Sequence, residues 1–152
     1  MIEHVGSLSQ RPGFPYIYFI IEGRFLYIGE TCRVPVVRWG EHFTERGSFW
    51  GALLRINPHY ECLKTKSCLT AYCCTRIAEE VVSSKRKLAV QWVEHDLHVL
   101  ACSDAVIGST YTLISDTSRT APSHSPCKWL QEVSSCIFED LKHQINSRAE
   151  PK

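Results

Sequence analysis

No stretch of this chain approaches the roughly 18 consecutive apolar residues that a membrane-spanning helix requires. The opening Met1-Ile2-Glu3-His4 has neither the basic start nor the apolar run of a secretory signal, so the chain reads as cytoplasmic. An excess of either charge is missing too: 17 Lys and Arg stand against 16 Asp and Glu, a formal net charge of +1. That excludes the broad positive field of most nucleic-acid-binding domains and leaves only local basic clusters. Lys64 with Lys66, and Lys85-Arg86-Lys87, are such clusters. Internal repeats are absent. Despite eight cysteines there is no Cys-x-x-Cys pair, which removes the usual zinc-ligand spacing. In the cytosol disulfides are disfavoured, and most of these thiols are expected to be buried as small apolar groups.

What is present suits a small globular protein. The 152 residues, 44% hydrophobic and 22% charged, are enough for one domain with a real core. Residues 1–13, with Gly6, Pro12 and Gly13, read as a loose lead-in. Tyr16–Ile21 and Arg24–Glu30 are two β-prone runs around Glu22-Gly23, the pattern of a hairpin. With residues 22 and 23 as a two-residue loop, Tyr18 falls directly across from Tyr27, and both phenols share one face. Pro35 suits the first turn of a helix running to about Phe43 or Arg46. Arg38 and His42, four residues apart, share a face of it. A short helix is expected over 49–56, a third strand over 68–77 and a long helix from about Ser83 or Ser84 to Ala101. Ala89, Val93, Leu97 and Leu100 form that helix's apolar stripe. The Ser-, Thr- and Pro-rich stretch 103–126 reads mostly as loop with an edge strand at 110–114. A loop that long predicts hidden structure or disorder. An amphipathic helix over about 128–146 follows, with Trp129, Leu130, Val133, Ile137, Leu141 and Ile145 facing inward.

The segment Tyr16-Ile17-Tyr18 … Leu26-Tyr27-Ile28-Gly29-Glu30-Thr31 … Arg38 … His42 resembles the GIY-YIG nuclease family. Tyr16 stands where that family usually has glycine; the second motif, Tyr27-Ile28-Gly29, is intact. The resemblance implies an α+β fold, a small three-stranded antiparallel sheet flanked by helices, over residues 14–109. Residues 110–152 would then be a loop and extra C-terminal helix packed on the same domain. It also implies a metal-dependent DNA endonuclease that uses one divalent cation, Mg²⁺ or Mn²⁺, held by a glutamate on the helix after the third strand. Glu79, Glu80 and Glu94 are candidates, and Glu94 matches best. At about 100° per residue it lies at the rim of the apolar stripe, where a carboxylate can be fixed and still reach a cleft.

On this reading the catalytic set is Tyr18, Tyr27, Arg38, His42 and Glu94, with Glu94 the metal ligand. Arg38 would bind the scissile phosphate. Tyr18, the favoured tyrosine, would take a proton from the attacking water or position it, and Tyr27 would orient water or phosphate. His42 would orient its neighbours or carry a proton, and Glu30 would help order Arg38. A free phenol titrates near pH 10, so Tyr18 needs help to act as a base. The asparagine that this family often carries beyond the glutamate is missing; Ser103, Asp104 and Ser109 are the nearest substitutes. The alternatives are a non-catalytic nucleic-acid-binding domain on the same scaffold and a cysteine-rich zinc protein. DNA is the expected partner, and a homodimer would suit double-strand cleavage. The last helix, with Trp129, Lys128, Lys142 and His143, would pack on the domain, pair two subunits or touch DNA.

Overall fold

The hairpin forms, but two residues out of the expected register. In the computed structural model, which describes residues 3–4, 11–42, 47–58, 68–115 and 128–149, β2 (Tyr16–Glu22) and β3 (Phe25–Thr31) pair antiparallel with Glu22 opposite Phe25. The loop is therefore Gly23-Arg24. Gly23 has φ +56°, the sign a type II′ turn places at its first position, where glycine alone carries no steric cost. Tyr18 now faces Gly29, and Tyr27 faces Ile20. A shift of two residues keeps every side chain on its face, so the two phenols remain together as diagonal neighbours.

The sheet is larger than the three antiparallel strands expected. Its order is β1-β4-β2-β3-β5. β4 (Cys68–Cys73) pairs antiparallel with β2, and β1 (Glu3–His4) adds to β4 from within the supposed lead-in. β5 (Thr112–Leu113) joins β3 in parallel at Phe25 and Leu26, so the sheet is mixed. Two-residue strands carry no periodicity, although the edge strand at 110–114 was legible.

The third strand stops at Cys73. Residues 75–77 instead open helix α3 (Thr75–Glu80), whose last two residues are Glu79 and Glu80. The long helix begins later than expected: a 3₁₀ turn at Ser83–Lys85 leads into α4 (Arg86–Ser103). Arg86 donates to the carbonyls of Ala78 and Val81, so the middle cation of that basic cluster closes the C-terminal end of α3. Part of the long loop is α5 (Ala105–Thr110), whose first turn is capped by Asp104. Helix α1 (Pro35–His42) follows β3, α2 (Ser48–Ile56) follows α1, and α6 (Leu130–Ala149) ends the described chain. The Lys64–Lys66 cluster, residues 43–46 and residues 116–127 lie outside the described residues.

Apolar side chains cover both faces of the sheet. On one, Ile17, Phe19, Ile21, Leu26 and Ile28 pack with Val93 and Leu97 of α4 and Leu130, Ile137, Leu141 and Ile145 of α6. Each fully buried aliphatic chain there contributes about 1.5–3 kcal/mol by leaving water. On the other, Tyr18, Ile20, Phe25 and Ala71 meet Phe49, Ala52 and Leu53 of α2, with Tyr27 beside them. The thiols depart from expectation. Of the five cysteines whose side chains are described, Cys74 is buried, Cys32 and Cys73 are half-buried and Cys102 and Cys136 are exposed, and all five are free. Cys62 and Cys127 lie outside the described residues. No described helix is long and apolar enough to cross a membrane.

Candidate active site

Tyr18 is flanked across its two neighbouring strands by Gly29 and Ala71, which leave room for a ring lying flat along the sheet. The ring covers Gly29: a Cβ built there would meet the Tyr18 Cζ at 2.2 Å. Tyr27 lies alongside, the ring centroids 6.4 Å apart and the planes 14° from parallel. Tyr16, on the same strand face, accepts a hydrogen bond from the Arg11 backbone N–H at 2.8 Å.

His42, at the C-terminal end of α1, is buried against both phenols. Its ring centroid is 5.3 Å from that of Tyr18 and 4.9 Å from that of Tyr27. The backbone N–H of Phe49 donates to His42 Nδ1 at 3.2 Å. A backbone amide only donates, so Nδ1 is the acceptor and the neutral ring carries its hydrogen on Nε2. That N–H donates to the Tyr18 hydroxyl oxygen at 2.7 Å. Burial first, and then the Arg38 charge, lowers the His42 pKa to about 4, so the ring is neutral at pH 7. His42 is therefore a fixed donor to Tyr18, and the phenolic hydrogen is left to point elsewhere.

Arg38 lies one turn before His42 and close enough to the Tyr18 oxygen to act on its ionisation. It donates to Glu41 at 2.6 Å. The expected ordering partner, Glu30, is thus joined or replaced by a carboxylate three residues along the same helix. Burial, and then Tyr27, push the Tyr18 phenol above its ordinary range, with Arg38 pulling the other way.

Glu94 is half-buried on α4, between the buried Ala101 and the buried His98 around the helix. Two interactions orient its helix. Arg86 and Lys87, at the start of α4, act electrostatically on Cys32 just beyond β3. His98, later in α4, is bonded to Ser115, which accepts from the Ile28 backbone N–H. So α4 runs antiparallel to β3, with Glu94 between the two tie points. β5 pairs with β3 as far as Leu26, and Ser115 just beyond it accepts from the Ile28 backbone N–H. After burial and Tyr27, the Glu94 charge adds a smaller upward push on the Tyr18 phenol.

Comparison of the chain with protein-family models, with curated proteins and with solved structures finds no match.

The proposed stand-ins for the missing asparagine are engaged in local structure. Ser103 Oγ donates to the Val99 and Leu100 carbonyls, Ser109 Oγ to that of Val106, and Asp104 caps α5. Behind the site stands instead a pair that the sequence did not disclose. His98 Nδ1–H donates to the Glu94 carbonyl at 2.8 Å, which leaves Nε2 to accept from the Ser115 hydroxyl at 2.6 Å. Ser115 Oγ in turn accepts from Ile28 N–H at 3.1 Å. One short relay thereby ties the helix bearing Glu94 to the strand bearing Tyr27. The spacing of His98 from Glu94, one helical turn, was the available signal; nothing local marks Ser115.

Among the described residues no three His, Cys, Asp or Glu side chains group as metal ligands. A caged zinc ion would need such a group. A hard cation such as Mg²⁺ would not, because it keeps several waters and binds through one or two carboxylates plus phosphate oxygens. Glu94, half-buried and facing Tyr18 electrostatically, fits that role. A separate cavity of about 300 Å³, lined by Asp104, Ile107, Lys142 and His143 among others, includes none of the site residues.

Proposed function

We propose that this chain is a metal-dependent DNA endonuclease of the GIY-YIG type, hydrolysing phosphodiester bonds by attack of water. The observation that carries the reading is the convergence of Tyr18, Tyr27, Arg38 and His42 on one sheet face, with the Glu94 charge acting on Tyr18. A core has no use for two stacked phenols, a buried histidine donor and a guanidinium gathered on one face.

Each group then has a task. Arg38 donates to the scissile phosphate and offsets charge that grows during attack. His42, neutral and held by Phe49 N–H, donates to the Tyr18 oxygen and would steady it as a phenolate. With that donor in place the phenolic hydrogen is left for another acceptor, and Tyr18 positions the attacking water or exchanges a proton with it. Tyr27, partly open beside it, orients water or phosphate. Glu94 would hold one Mg²⁺ or Mn²⁺, which when bound supplies charge neutralisation at the phosphate and the leaving 3′ oxygen.

One observation favours the alternative, a non-catalytic nucleic-acid-binding domain. Burial raises the Tyr18 pKa, which makes the phenol a poorer base in the protein alone. Conversion of supercoiled plasmid to the nicked form in Mg²⁺, and not in EDTA, separates the two. Since one such site cuts one strand, a double-strand break would call for two copies of the chain.

A further inference from the structure

Arg33 stands in the turn between β3 and α1, its backbone N–H donating to Thr31 Oγ1 at 3.0 Å. Its guanidinium donates to both carboxylate oxygens of Glu41, at 2.8 and 2.7 Å. Arg38 donates to the same carboxylate at 2.6 Å. One anion thus receives three charge-assisted hydrogen bonds from two cations. The bond from Arg38 is the main reason that the Glu41 carboxyl is held below its usual range.

The exposures are graded. The Arg38 side chain is 22% exposed beside Tyr18, Glu41 is 40% exposed, and Arg33 is 59% exposed. The two guanidiniums therefore lead from the candidate active site out to solvent. Guanidinium forks match carboxylate and phosphate oxygens alike. In a chain of net charge +1, a site meant to receive a polyanion has little reason to keep a surface carboxylate across its cations.

We propose that Glu41 holds the seat of a DNA backbone phosphate: Arg33 and Arg38 form a two-guanidinium anion site that releases Glu41 and takes the phosphate when duplex binds. The inference rests on the nucleic-acid reading of the same site and adds Arg33 as a phosphate contact and Glu41 as its internal competitor. The exchange is helped because the exposed Arg33–Glu41 pair holds weakly and released counterions favour the phosphate.

The test is binding of a short fluorescein-labelled duplex, followed by anisotropy in EDTA across a KCl series. Wild type, Glu41→Gln, Arg33→Ala and the double variant are compared, each checked by its urea unfolding midpoint. Glu41→Gln binds about five-fold tighter, the upper worth of an exposed ion pair. Arg33→Ala binds more weakly, with a salt slope shallower by about one. In the double variant most of the gain from Glu41→Gln is gone. If folded Glu41→Gln binds no tighter than a wild type that binds and nicks, this inference alone is overturned. A wild type that binds with this mutational pattern but never nicks removes the nuclease reading and keeps the inference. A wild type that binds no duplex overturns both.

Discussion

Gly29 lies beneath the Tyr18 ring, so close that a Cβ on residue 29 would stand 2.2 Å from Tyr18 Cζ and 2.3 Å from its hydroxyl oxygen. The glycine of the second motif is thus a packing requirement of the first. Gly29→Ala must push the ring off its seat and away from His42. The expected result is a loss of about 1–3 kcal/mol in urea unfolding, the usual cost of overpacking, together with loss of nicking. An alanine variant with unchanged stability and activity would show that the ring can sit elsewhere.

His42 makes stability depend on pH with a definite sign. The unfolded side chain protonates near 6.5, whereas the folded one does so only at about 4. Between those values the unfolded state binds more protons, so stability rises with pH. The contribution is complete above about pH 6.5 and lost on the way down to about pH 4, up to roughly 3 kcal/mol in all. Urea midpoints at both ends of that window, for wild type and His42→Asn, check this. The variant keeps an acceptor near Nδ1, is less stable at neutral pH and shows a smaller acid loss. An equal acid loss in both would place the titration elsewhere.

Much of this was legible in the sequence, for physical reasons that particular residues make plain. A strand's side-chain period is two, so misplacing the loop at Glu22-Gly23 instead of Gly23-Arg24 still left Tyr18 and Tyr27 on one face. The spacing from Arg38 to His42 fixed a shared helix face, and Ala89, Val93 and Leu97 of the expected stripe are buried. β1 was missed because two residues have no pattern, and Thr75–Ile77 was read as strand because β-prone types there carry a helix start. Asp104 was weighed for the active site, although its backbone bonds make it a helix cap. Ser115 could not be found at all: its role comes from tertiary contact with His98 and Ile28, far away along the chain.

That relay supplies a prediction of its own. Ser115→Ala leaves His98 Nε2 without its hydroxyl donor and the Ile28 N–H without its acceptor. A loss of about 1–3 kcal/mol follows for such buried groups. If the relay also aligns Glu94, nicking in saturating plasmid slows while the Mg²⁺ concentration giving half-maximal rate rises. Ser115→Thr, which keeps the hydroxyl, restores both. A Ser115→Ala protein that is less stable but has unchanged Mg²⁺ dependence would limit the relay to holding α4 on β3.

The most direct measurement is Mg²⁺-dependent nicking of supercoiled plasmid by wild type and Glu94→Gln, with urea unfolding of both alongside. The account predicts nicking by wild type, its abolition in Glu94→Gln, and closely similar unfolding midpoints. A folded Glu94→Gln protein that nicks at the wild-type rate would contradict it.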